Sequence, residues 1–238
     1  MKTGARMQAA IEVLDEVLGR HRPAAIALAD WGRAHRFAGS GDRAAIGNLV
    51  FDVLRRRHSL AARMGSESSR ALVIAAAPEA FALSPGQVRD AAADPSPHVL
   101  DALTDEECLA LDHDLDPAAP ASVRGDFPAE FEASLSRVFG DRLVEEMAAF
   151  AVRAPVGLRA NGLKADREKV MSALNSFHPK NVRYAQDAIE IENPPGSGRT
   201  PNVEADTAHG KGLCEVHDES TTIAALLSEE GPREQVLD

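Results

Sequence analysis

The chain has 238 residues, 44% of them hydrophobic, 26% charged and 4% aromatic, with a formal net charge of −11. This composition excludes whole-chain disorder, and few aromatics with abundant alanine favour packed helices over an all-β sandwich. Two cysteines, Cys108 and Cys214, without a CxxC pair exclude a disulfide scaffold and a cysteine zinc site, and no apolar run reaches membrane-spanning length.

The expectation is therefore a soluble, monomeric protein of the reducing cytoplasm, with no membrane partner. Its charge is uneven: residues 1–83 hold 12 Lys and Arg against 8 Asp and Glu, residues 84–150 hold 4 against 15, and residues 151–238 hold 10 against 14. Nucleic-acid binding answers to the local field, so the basic first third is a candidate surface on an acidic chain.

Met7, Ile11, Leu14 and Leu18 fall at helical spacing and predict an amphipathic helix over residues 5–20. Pro23 suits the first position of a second helix through Ile26, Leu28 and Trp31 to about Arg36. After Gly39-Ser40-Gly41, Asp42 is read as the cap of one long helix with a buried stripe of Ile46, Leu49, Val50, Val53 and Leu54, stopped by Gly65. Ser69 opens a short helix over Leu72, Val73 and Ile74. Ser84 with Gln87 and Thr104 with Glu107 have capping-box spacing, so a helix begins at each. Residues 112–126 read as loop. Pro128 starts a helix with Phe131, Leu135, Val138 and Phe139, ended by Gly140, and Asp141 caps another with Leu143, Val144 and Met147 buried. No credible strand occurs before Arg153.

From Ala154 the pattern changes to β-α-β-β. A strand runs over 156–161, a helix is capped by Asp166, and strands follow around 182–184 and 188–191. The Pro- and Gly-rich stretch 193–212 reads as a mobile surface loop. Then come a strand with Leu213 and Val216, a helix capped by Asp218 and Ser220 with Ile223, Leu226 and Leu227 on one face, a stop at Gly231-Pro232, and a second strand from Gln235. Strand, helix, strand is the opening of a doubly wound α/β domain.

No catalytic or metal site emerges. Gly196-Ser197-Gly198 does not open a helix, Asp112, His113, Asp114 and Asp116 lack the rest of a calcium loop, and the cap role already accounts for Asp218 and Ser220 beside His217. The positive feature is Arg55, Arg56 and Arg57. Three consecutive residues point about 100° apart and span about 200° of a helix, so at least two should face solvent, either pairing with the acidic middle third or contacting phosphates. Arg159, Lys164, Arg167, Lys169, Lys180 and Arg183 form a second basic group.

Several of these stretches also resemble one family. APVGLRANGLKADREKVMSAL (154–174), GLCEVHDESTTIAALLS (212–228) and EQVLD (234–238) are similar to the strand and helix that precede, and the segments that open, the methyl-transfer domain of the Sun (Fmu) ribosomal-RNA cytosine-5 methyltransferases. GDRAAIGNLVFDVLRRR (41–57) resembles that family's NusB-like helical domain, and FPAEFEASLSRVFGDRLVEEM (127–147) its linker helices. Gly162, His217 and Phe51 stand where Thr, Gln and Tyr are common.

The resemblance implies an α+β chain in four parts. These are a NusB-like all-α RNA-binding domain over 1–126, linker helices over 127–153, a small RRM-like α/β domain over 154–211, and over 212–238 the first elements of a truncated Rossmann-like domain. It implies ribosomal RNA as the partner, with no DNA, and Arg43, Arg55, Arg56, Arg57, Arg159 and Lys164 as RNA-binding residues. S-adenosylmethionine is implied for the intact protein, with none expected on this chain, which is expected to be inactive alone because the family's glycine-rich loop and catalytic cysteines would lie past Asp238. The alternative is a stand-alone NusB-like RNA-binding module of transcription or ribosome assembly.

Overall fold

The computed structural model describes residues 1–194, 196 and 198–228, and the strand expected from Gln235 lies outside them. It is α+β, and its described residues divide into two compact units: 1–153 with 196, 198 and 199, and 154–194 with 200–228.

The first unit is a helical bundle of α1 (Thr3–Leu14), α2 (Ala24–Ala34), α3 (Ser40–Arg55), α4 (Arg57–Met64), α5 (Ser69–Phe81), α6 (Pro85–Ala92), α7 (Asp105–Asp112), α8 (Ala121–Arg124), α9 (Glu132–Phe139) and α10 (Leu143–Phe150). Its centre is α5, longer than the sequence predicted, with Ala71, Leu72, Val73, Ile74, Ala75, Ala76 and Ala77 all buried. A helix apolar on every side is a core helix, and Met7, Leu14, Ile46, Leu49 and Val53 from α1 and α3 close around it. The helices set apart as a linker, α9 and α10, belong to this unit by their contacts. α9 buries none of its residues: Val138 is exposed, as is Phe131 just before the helix, contrary to the stripe expected there.

The two capping boxes form where the sequence placed them, whereas Asp141 does not cap α10. Ser84 Oγ accepts from the Gln87 amide at 3.3 Å while Gln87 Oε1 accepts from the Ser84 amide at 2.8 Å, and Thr104 and Glu107 repeat the arrangement. Asp42 is not the first cap of α3. It sits in that helix's first turn, accepts from the Gly39 amide at 3.3 Å, and is held by the Met1 ammonium and Arg6. Burial would raise its carboxyl, but those two cations hold it below the ordinary value.

The single helix expected from Arg43 to Gly65 is broken at Arg56, whose φ of −121° and ψ of 28° leave helical space. The break exposes the first amides of α4, and Asp126 supplies the cap: its carboxylate accepts from the Ser59 amide at 2.7 Å and the Ser59 hydroxyl at 2.5 Å. Gly65, at φ +62°, ends α4 in the left-handed region that glycine adopts without strain.

The second unit is a four-stranded antiparallel sheet in the order β2-β3-β1-β4, from β1 (Val156–Ala160), β2 (Lys180–Asn181), β3 (Ala188–Ile191) and β4 (Cys214–Val216). Helices α11 (Arg167–Ala173), α12 (Thr207–Gly210) and α13 (Glu219–Leu227) accompany it. Leu158, Val170, Leu174, Ile189 and Ile191 form the core, with Cys214 buried and its thiol pushed up by desolvation.

Three expectations change here. The strand expected at 182–184 forms instead at Lys180–Asn181. The stretch 193–212 is not all open loop, since it contains α12 and buries Val203 and Ala208 in the core. The boundary expected at 211/212 falls inside the sheet: Leu158, Arg159 and Ala160 of β1 pair with Val216, Glu215 and Cys214. A lone strand does not announce its partner, and the open edge of β1 takes this one. Gly157 permits the close approach, because a Cβ there would stand 2.7 Å from the Asp218 Cα. Asp218 then caps α13, accepting from the Thr221 amide at 2.8 Å and the Ser220 hydroxyl at 2.6 Å.

Candidate nucleic-acid interface

In the first unit, Arg43 does not reach outward. Its Nε donates to the Ala38 carbonyl at 2.9 Å and clamps the chain that leads into α3. Arg55 Nε donates to the Ala151 carbonyl at 3.2 Å, and its outer nitrogen pairs with Asp52 one turn back. Arg56, at the helix break, pairs with Glu79 of α5.

Arg57 pairs with Glu67 at 2.7 Å and is the most exposed of the three arginines, with 42% of its side chain accessible. The predicted pairing with carboxylates thus occurs, but the partners are Asp52, Glu67 and Glu79, not the acidic middle third. Each belongs to α3, to α5 or to the turn before α5. Any phosphate approaching Arg55 or Arg56 must displace a carboxylate that already holds the guanidinium.

Arg57 differs in a second respect. With exposed His58 it lines an open groove of about 510 Å³ whose other walls are Ala61, Ala62, Gly65, Ser66, Glu67 and Val123. Glu67 is the only acid in that lining, so the groove presents a cation and an imidazole against one carboxylate.

Gly198, grouped with the same unit, accepts at its carbonyl from Asn48 Nδ2 at 2.9 Å and Arg153 Nη1 at 3.3 Å. Burial lowers the Arg153 guanidinium from its ordinary value, and the neighbouring Asp52 charge partly restores it.

In the second unit, Arg159 on β1 donates from Nε to Glu215 of β4 at 2.9 Å, a cross-strand pair. Lys164 Nζ donates to the Lys211 carbonyl at 3.0 Å. Arg183 lies over the Tyr184 ring, 5.2 Å from its centroid, covering one aromatic face with a cation.

All six residues read from the sequence as RNA contacts therefore have partners inside their own unit. Sequence reasoning missed the group around the turn between α2 and α3, where Trp31 stacks on His35 and Phe37 meets His35 edge-on, with Arg33 and Arg36 in the same stretch. Aromatic spacing i, i+4, i+6 with two arginines and no acid between Asp30 and Asp42 was the available signal.

Among the described residues, no group of three or more His, Cys, Asp or Glu is placed to hold a metal, and no helix is long and apolar enough to cross a membrane.

No protein-family profile matches the sequence, and no curated protein matches it. Among solved structures, the chain is similar to one described as the crystal structure of PH0851, with 15% sequence identity and a TM-score of 0.56. The similarity covers 98% of this chain and 57% of that one, so the chain spans a little over half the length of the structure it matches. At that identity the likeness concerns the fold.

Proposed function

We propose that this chain is the RNA-holding, N-terminal portion of an S-adenosylmethionine-dependent ribosomal-RNA cytosine-5 methyltransferase. The observation that carries the reading is the order of parts. A helical unit precedes a small antiparallel unit, and β4 passes through the Asp218 cap into α13 where the motif GLCEVHDESTTIAALLS falls. Likeness of fold along 98% of the chain supports that order and is silent on chemistry.

In this reading the basic first third meets RNA, with Arg57 and His58 in their groove as the phosphate contact retained from the arginine run. Arg43, Arg55, Arg56 and Lys164 act by holding backbone and carboxylates in place. A methyl-donor pocket of this class needs a loop at the carboxyl end of a parallel strand. The described sheet is antiparallel throughout, so the described residues do not fit that cofactor, and no transfer step is assigned to them.

A second reading, a stand-alone binding module, is favoured by the uncovered apolar side chains Phe131, just before α9, Val138 on α9 and Phe150 on α10, which suit a protein partner. Two measurements separate the readings. Titration of the chain with ribosomal-RNA segments should show affinity that falls log-linearly with salt; no binding at low salt overturns both. The gene product expressed from its native locus should pass a labelled methyl group from S-adenosylmethionine to cytosine in ribosomal RNA, and failure to do so leaves only the module.

A further inference from the structure

The turn between α2 and α3 presents a surface that the arginine run does not. Trp31 and His35, one helical turn apart, stack with ring centroids 4.3 Å apart and planes 18° apart. Phe37 meets the imidazole edge-on at 5.7 Å and 90°. His35 Nδ1 lies 2.9 Å from the Trp31 carbonyl, which can only accept, so Nδ1 carries the hydrogen and Nε2 is the nitrogen left over.

The Ala38 amide donates to the His35 carbonyl at 3.0 Å, closing a turn with Arg36 and Phe37 at its two central positions. Ala38 is buried, and Arg43 clamps its carbonyl, so the base of the turn is fixed while its tip faces solvent. Phe37 is 67% exposed, and Arg36 is exposed with no ion pair among the described residues.

An exposed aromatic ring alone is unremarkable on a protein surface. Here it is the end of a three-ring cluster, whose far ring, Trp31, donates from Nε1 to Glu12 at 2.8 Å, and it is held on a pinned turn followed in sequence by no acid until Asp42. A protein-docking patch is contiguous and apolar, whereas this ring lies between Arg36 and the buried Ala38. A ring beside a free guanidinium matches a nucleotide, whose base has a face to stack and whose phosphate has a charge to neutralise.

We propose that the 35–38 turn is a base-stacking site for single-stranded RNA. Phe37 takes the face of one base, Arg36 takes the adjoining phosphate, and His35 Nε2 meets a base edge or a ribose hydroxyl. This rests on the RNA-binding reading above and adds to it the strand state of the RNA and the residues that grip it.

The test uses the full chain, a fluorescein-labelled single-stranded 12-mer of oligo(A), and a 12-mer of the same backbone with abasic positions, followed by anisotropy. The base-bearing strand should bind about tenfold more tightly than the abasic one. Phe37→Leu, which keeps apolar volume and removes the aromatic face, should erase that difference, and Phe37→Tyr should retain it. Because Trp31 is the sole tryptophan, its emission should change with the base-bearing strand and not with the abasic one.

If RNA binds but Phe37→Leu discriminates between the two strands as well as the parent does, the stacking site is overturned while the RNA-binding reading stands, and the ring belongs to another partner such as a protein. If neither strand binds, both fall.

Discussion

The 35–38 turn and the 55–57 run belong to the same helical unit and carry the same kind of charge, yet they dispose of it in opposite ways. In the run, every guanidinium is answered by a carboxylate: Asp52 for Arg55, Glu79 for Arg56, Glu67 for Arg57. In the turn, Arg36 stands beside an exposed ring with no acid between Asp30 and Asp42. A count of basic residues favours the run. What a ligand meets is the charge left over after internal pairing, and that favours the turn.

The largest perturbation removes what both regions share. Leu72→Ala in fully buried α5 should cost about 2–5 kcal/mol in urea denaturation, and both regions should lose RNA binding as the unit loosens. A loss under about 1 kcal/mol would show that α5 is not the centre of the core.

Asp126→Ala then acts on the run alone. It strips the cap from Ser59 at the head of α4 and should cost about 1–2 kcal/mol, with faster hydrogen exchange at the Ser59 amide and unchanged exchange at Ala38. Equal acceleration at both amides would mean that the regions are not independent.

Arg43→Ala acts on the turn alone. It should cost about 0.5–1.5 kcal/mol through the lost bond to the Ala38 carbonyl and should weaken the preference for base-bearing RNA. Arg43→Lys keeps the charge but not Nε, so it should weaken that preference equally; full retention would make Arg43 a phosphate contact instead of a clamp.

The smallest effect is a control in the second unit. Hydrogen bonds from the Ser220 hydroxyl and from the Thr221 amide and hydroxyl hold the Asp218 carboxyl at about 2, below its ordinary 3.8. A lowered folded-state value means that the cap's contribution is present above 3.8 and is lost as pH falls towards 2. Amides at the start of α13 should therefore exchange faster over that window, and Asp218→Asn should flatten the change.

What was legible in the sequence was local. Ser84 with Gln87, Thr104 with Glu107, and Asp166 or Asp218 with the third residue after it are contacts within one helical turn, and each forms as spaced. The cap of α4 was not legible, because Asp126 lies 67 residues from Ser59 and residue-to-residue spacing carries no such information. The length of α5 was hidden for a different reason: burial on all sides leaves no amphipathic period to read.

The placement of β4 failed for a third reason. Leu213 and Val216 mark a strand, but only the neighbouring β1 decides which sheet it joins. At the candidate site the chemistry of single side chains was readable and their pairing was not, since Glu67 and Glu79 reach the arginines from beyond α4. The aromatic spacing around His35 was readable and outweighed by the more conspicuous arginine run.

The central claim is that the unpaired charge of Arg36 on the turn, and not the paired charge of Arg55 and Arg56 in the run, contributes to RNA affinity. Its most direct measurement is the slope of log affinity against log salt for single-stranded RNA, compared among the parent, Arg36→Gln and the double variant Arg55→Gln with Arg56→Gln. Losing one phosphate contact should lower the slope by about one for Arg36→Gln and leave the double variant at the parent slope. A parent slope in Arg36→Gln together with a drop of about two in the double variant would contradict the claim.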